Sequence, residues 1–236
     1  MSLKSNFGTF IDRAINELRT GRPIVIKENK NYWMFFNIEH SDNKILNQFN
    51  QYLQKDKYLL ITKQKAKSIF ENKVSTNIFF KINEKISNKS LLSLFINPLS
   101  DQNKILFKDE PYIKSKDFHN VCLDIAKNAK VIPSLVFKKI NSKYYKNIEN
   151  LILQLGLLRF NHKELKNQNK FITNSIRLVS SANVPLPNVA STTFNIFKSY
   201  IGARRHIAII IKPKNLKQPT NLRIHSACFT GDIFHS

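Results

Sequence analysis

The chain has 236 residues, an apolar fraction of 42% and a formal net charge of +22 from 38 basic and 16 acidic residues. That length holds one large domain or two small ones with an ordinary core. No apolar run approaches a membrane span, and the opening residues Met1, Ser2, Leu3 and Lys4 lack the apolar centre of a secretory signal.

Two cysteines, Cys122 and Cys228, are too few for a disulfide framework, so the expected location is cytoplasmic. The positive charge raises nucleic acid as a partner. Lysine rather than arginine dominates, however, and it is spread along the whole chain with abundant Asn and Ile, as a bias toward A/T-rich codons would produce. A dedicated binding face would cluster its charge and interleave aromatic rings. The expectation is no membrane and no specific nucleic acid, with weak, salt-sensitive attraction to polyanions.

In chain order, Phe10, Ile11, Ala14, Ile15 and Leu18 recur at helical spacing and predict a helix over 8–19, stopped by Gly21 and Pro23. Ile24, Val25 and Ile26 form a short run suited to a buried strand. Residues 59–62 read as a strand feeding a helix over 63–70, whose Lys63, Lys65 and Lys67 make a solvated face. Residues 79–82 read as a further strand. The stretch 83–117 is the least legible, apart from an apolar run over 91–96 and a turn at Asn97 and Pro98. Leu123, Ile125, Ala126, Ala129 and Val131 predict a helix broken at Pro133, then a strand at 135–137. A last helix is expected over 148–159, with Gly156 near its end. Helices alternating with short apolar strands give an α/β fold, mixed (α+β) in character.

The helix–Gly–strand opening over 14–26 and the sequence L-D-I-A-K-N-A-K-V-I-P-S at 123–134 resemble 3,4-dihydroxy-2-butanone 4-phosphate synthase. In that family an acidic loop follows the strand and holds magnesium and a sugar phosphate, and a catalytic His and Glu precede the later helix. Here the loop position holds Lys27, Glu28, Asn29 and Lys30, with one carboxylate. The places of the His and Glu hold Phe118 and Asn120. His119 falls between them, one residue out of step, and reads as a surface or helix-cap residue. Residues 1–172 are therefore expected to be a degenerate synthase-like domain.

A polar linker is expected over 173–182. Beyond it, Phe194, Asn195, Ile196 and Phe197 alternate as a strand does, 206–211 reads as a buried strand, Lys212 and Pro213 open a turn, and Leu222, Arg223 and Ile224 read as the next strand. The last fourteen residues then concentrate polar chemistry. Arg223 offers a fork of donors for phosphate or carboxylate. Cys228, once deprotonated, is a zinc ligand. From spacing alone this is either an anion and metal site or a strand ending in a turn with an inert thiol, since one Cys makes no metal site.

The wording R-I-H-S-x-C-x-T-G-D-I-F-x-S resembles the signature of GTP cyclohydrolase II. Two further stretches resemble the same family: Ala182 to Pro187, and Gly202 with His206 and Ala208 before an aliphatic strand. The resemblance is to the alphaproteobacterial type with a worn synthase-like N-terminal domain, and assigns 183–236 to the front of the catalytic domain. It implies hydrolysis of GTP to a diaminopyrimidine ribosyl phosphate, formate and pyrophosphate in riboflavin biosynthesis. Zinc would activate water and magnesium would attend the triphosphate. Arg223, Ile224, His225, Ser226 and Ala227 match the stretch that contacts GTP, with Ala227 where the family has Glu. Cys228 matches the first of three zinc cysteines; the other two would fall past Ser236. His235 stands where the family has Gly. No catalytic residue is assigned, and the chain, read as truncated within the catalytic domain, is expected to be inactive alone. The alternative is a non-catalytic remnant that binds nucleotide or polyanion, with homodimer formation left open.

Overall fold

The computed structural model describes residues 3–39, 46–70, 74–83, 85–96, 107, 111–161, 163, 168–187, 191–199, 201, 205–211 and 221–225. The chain divides into two compact units, one of residues 1–177 with 198–205, the other of 178–197 with 206–236.

The larger unit opens with helix α1 (Leu3–Arg19), whose Ile11, Ala14, Ile15 and Leu18 are buried. It stops as the glycine predicts. Gly21 takes φ +77°, its N–H donates to the Leu18 carbonyl at 3.2 Å, and the Arg22 N–H donates to that of Glu17 at 2.8 Å. This paired closure satisfies carbonyls the helix leaves open.

Strand β1 (Ile24–Glu28) follows, then β2 (Asn31–Asn37). The two pair antiparallel with Glu28 opposite Asn31, around a turn in which Asn29 has φ +54°. The stretch aligned with the family's acidic loop is thus a tight hairpin. Next come β3 (Leu53–Ile61), helix α2 (Lys63–Ile69) capped by the Thr62 hydroxyl, and β4 (Ile78–Ile82). The apolar run at 91–96 is helical, in α3 (Asn88–Ile96); Asn97 and Pro98 lie outside the described residues. After β5 (Tyr112–Lys114), helix α4 (Asp117–Ala129) runs into β6 (Ser134–Ile140). It ends before Pro133, because Lys130 turns into the left-handed region at φ +57°. Helix α5 (Ile148–Gln154) is shorter than its expected span, since Arg159 already belongs to β7 (Leu158–Asn161).

These strands make one seven-stranded sheet in the order β5-β4-β3-β6-β2-β1-β7, antiparallel except for the parallel pair β1 and β7. Alternation along each strand sends neighbouring side chains to opposite faces. Leu60, Leu135 and Phe137 pack with α1 and α4 on one face. Leu59, Ile61 and Val136 pack with α2 and α3 on the other, where Val25, Met34 and Ile140 meet α5 in an adjoining cluster. The arrangement is a mixed α/β fold with the sheet in the middle.

Helix α6 (Gln168–Asn174) and strand β8 (Ile176–Asn183) occupy most of the stretch read as a linker. Strand β8, β9 (Thr192–Ser199) and β10 (Arg205–Ile211) form a three-stranded sheet in the order β10-β9-β8. The strand read as buried over 206–211 exists but is exposed, with Ile207 64% and Ile211 57% accessible. An aliphatic run identifies a strand; it does not say that something covers it.

Candidate functional site

Two regions carry the residues that the sequence marks for chemistry, one in each unit. The first is the start of α4. Lys116, extended at φ −89° and ψ 169°, is the N-cap. Its N–H donates to His119 Nδ1 at 3.0 Å, so the neutral ring carries its proton on Nε2. That atom is buried without a hydrogen-bond partner. His119 is 1% exposed; of the two positions expected for it, surface or helix cap, it takes the cap. Phe79 stacks on the imidazole at 4.1 Å between centroids, Phe118 lies at 3.9 Å, and Phe137 meets it edge-on at 5.7 Å. Burial, with Lys116 as a second cause, pushes the ring down to about 3.

Asn120 has a structural task as well. Its Oδ1 accepts from Asn77 Nδ2 at 3.0 Å and from the Ser115 hydroxyl at 2.9 Å. Trp33, Tyr58 and Phe79 pack as a contiguous aromatic group beside this point, with Tyr58 and Phe79 stacked at 5.1 Å. A general base must reach a substrate proton and hold a pKa near the working pH. A neutral imidazole sealed between phenyl rings does neither, so this position serves the fold.

The second region is the polar cluster late in the chain. Residues 221–225 have no regular secondary structure, so the strand expected at Leu222, Arg223 and Ile224 is not formed. Arg223, Ile224 and His225 are exposed, Ile224 by 92%. Ser226, Ala227 and Cys228 lie outside the described residues, as does the turn at Lys212 and Pro213. His206, near the start of β10, is exposed. In the same unit the Thr193 hydroxyl donates to Asn183 Oδ1 at 2.9 Å, and the Val184 N–H to the Thr192 carbonyl at 3.0 Å, which joins β8 to β9. Among the described residues no three His, Cys, Asp or Glu side chains are grouped to hold a metal ion. The described donor set therefore does not fit a three-ligand zinc site. Cys122 offers no alternative, being fully buried with its thiol pushed up by desolvation.

Residues 177–236 match the family model described as GTP cyclohydrolase II. This segment is similar to that family. Curated relatives named GTP cyclohydrolase-2 match as well. The protein of Azospirillum brasilense is 25% identical over 111 residues, 47% of this chain and 29% of that one. The protein of Xylella fastidiosa strain 9a5c is 36% identical over 64 residues, 27% of this chain and 16% of that one. Riboflavin biosynthesis protein RibBA of Staphylococcus haemolyticus is 28% identical over 137 residues, 56% of this chain and 34% of that one. The chain thus spans between 16% and 34% of the length of these relatives. Among solved structures it is similar to RibBX of A. baumannii, a two-domain 3,4-dihydroxy-2-butanone 4-phosphate synthase, with TM-score 0.49, 12% identity, and coverage of 94% of this chain and 76% of that one. Among the described residues no helix is long and apolar enough to cross a membrane.

Sequence reasoning missed one group of side chains altogether. Lys57 sits at an inward position of β3, in phase with Leu59 and Ile61, and is 9% exposed. The signal was its parity. A lysine that shares alternation with core residues points into the molecule, whereas the count of lysines alone had marked it as one of many.

Proposed function

We propose that the protein carries part of a GTP cyclohydrolase II site of the riboflavin-biosynthesis type. In this reading a synthase-like domain of 1–172 leads through 173–182 to a cyclohydrolase portion at 183–236. Arg223, Ile224, His225, Ser226 and Ala227 contact GTP, and Cys228 contributes one thiolate toward zinc. The observation that carries the reading is the family match over 177–236, which contains the whole R-I-H-S-x-C signature. The exposure of Arg223 and His225 supports it, since a triphosphate needs donors it can reach. Arg223 supplies a bidentate, permanently charged fork for a phosphoryl oxygen.

A polypeptide of these 236 residues offers Cys228 as its thiolate in the segment, and a single thiolate does not hold zinc at catalytic strength. The polypeptide is expected to bind GTP without turning it over. Incubated with GTP, magnesium and stoichiometric zinc, it should release no formate. Steady formate release together with one tightly held zinc per chain would overturn this reading.

A second reading, a module that binds polyanions without base preference, draws on the net charge of +22. It predicts that GTP, ATP and pyrophosphate bind alike and that all binding vanishes at moderate salt.

A further inference from the structure

The larger unit holds a concave feature that neither resemblance assigns. Beside the cluster formed by Phe36 and Leu46 lies a cavity of about 240 Å³. Four lysines line it: Lys55 and Lys57 of β3, Lys138 of β6, and Lys85 beyond the end of β4. No carboxylate is among its described lining residues. Lys57 and Lys138 face each other directly in the β3–β6 register. That register shifts between Leu53 and Lys57, an irregularity of the kind that re-aims side chains. Lys139, one residue on, is opposite Trp33 and belongs to the other face of the sheet.

Like charges directly opposed across two strands destabilise a sheet, and burial adds to the cost. Lys57 meets both conditions. Its Nζ donates to the Ile86 carbonyl at 2.8 Å, which fixes the ammonium at the cavity wall. Desolvation first, and Lys138 second, push it down to about 8, so it still carries its charge at neutral pH. An anion seated between Lys57 and Lys138 would turn a repulsive pair into a bidentate cationic clamp. Asn50 and Ser87 add neutral donors at the same wall, and Phe36 and Leu53 give it an apolar side. The volume is below the roughly 300–1,000 Å³ of drug-sized ligand sites, which favours a ligand smaller than a whole nucleotide.

We propose that this cavity binds a compact phosphorylated anion, with a phosphoryl group between Lys57 and Lys138 and with Lys55 and Lys85 closing on it from the rim. The proposal uses none of the residues 223–228 and does not depend on the reading given above.

The test is calorimetric titration of the 236-residue chain with inorganic pyrophosphate and, separately, ribose 5-phosphate, at about 150 mM salt, where exposed charges are screened beyond about 8 Å. One saturable site is expected for at least one of the two, the tighter naming the ligand class. Lys57→Met with Lys138→Gln should weaken it about tenfold or more. Lys63→Gln with Lys67→Gln removes the same charge from the exposed face of α2 and should leave it unchanged. Lys55→Gln with Lys85→Gln touches only exposed side chains. It should weaken binding while the unfolding midpoint stays put, which keeps the test decisive if the Lys57 variant folds poorly. Equal losses in the α2 control, or no saturable site for either ligand, would overturn the proposal.

Discussion

Two aliphatic strands of nearly the same composition behave in opposite ways. Ile24, Val25 and Ile26 of β1 are each 0% exposed, whereas Ile209, Ile210 and Ile211 of β10 are 54%, 47% and 57% exposed. The difference lies in what covers the faces of each strand, since edge position alone does not expose side chains: β7 is also an edge strand, yet Leu158 and Phe160 are buried. Strand β1 is flanked by β2 and β7 and has packed side chains on both faces. Strand β10 is at the edge of a three-stranded sheet. Fully burying an Ile is worth about 1.5–3 kcal/mol, so β1 collects a stabilisation that β10 forgoes. Sequence selects the strand, and the neighbours decide its energetics.

The sharpest way to break this comparison is a matched pair of truncations. Phe137, at 0% exposure in the main cluster, should cost about 3–5 kcal/mol as Phe137→Ala. Ile209→Ala in β10 should cost less than about 1 kcal/mol. Urea unfolding followed by the fluorescence of Trp33, the chain's one tryptophan, reports the larger unit, and far-UV circular dichroism of the same titration reports β10 as well. A comparable loss in Ile209→Ala would mean that β10 is covered after all.

Buried titratable groups sharpen the contrast next. The His119 ring is held near 3 in the folded state against about 6.5 when unfolded. The unfolded chain therefore binds more protons between these values, and stability falls as pH drops from 6.5 toward 3, by on the order of 5 kcal/mol. His119→Gln keeps an acceptor for the Lys116 N–H and should flatten that slope. Lys57 gives a second window of the same sign, at alkaline pH. Its folded value of about 8 is below the unfolded 10.4 or so, so stability should rise between pH 8 and about 10.4, by on the order of 2 kcal/mol, and Lys57→Met should abolish the rise. The smallest effect concerns Gly156 at φ +61°, whose carbonyl accepts from Arg22 at 2.9 Å. Gly156→Ala should cost about 1 kcal/mol through backbone strain, read as a lowered urea midpoint.

Much of the larger unit was legible because its signals are local. The periodicity of α1, the closing Gly21 and the aliphatic run Leu59, Leu60 and Ile61 all act within a few residues. Strand β2 escaped notice. Tyr32, Met34, Phe35 and Phe36 are buried toward both faces, so no period-two pattern marks them, and the resemblance suggested a loop there. Helix α4 stops at Ala129 because Lys130 accepts a left-handed conformation, which no proline rule foresees. Strand β8 hid in polar sequence because its side chains are largely exposed. Within the candidate site, residue types were legible and geometry was not. Arg223 and His225 suggest anion chemistry by their residue types, while the irregular, exposed course of 221–225 is not written in them.

The most direct test of the central claim is equilibrium binding of GTP to the 236-residue polypeptide and to Arg223→Ala at about 150 mM salt, with ATP as competitor. A partial GTP cyclohydrolase II site predicts saturable binding that prefers GTP to ATP and weakens about tenfold in Arg223→Ala, since a charged hydrogen bond is worth about 1.5–3 kcal/mol. Equal affinity for both nucleotides, unchanged in Arg223→Ala, would contradict it.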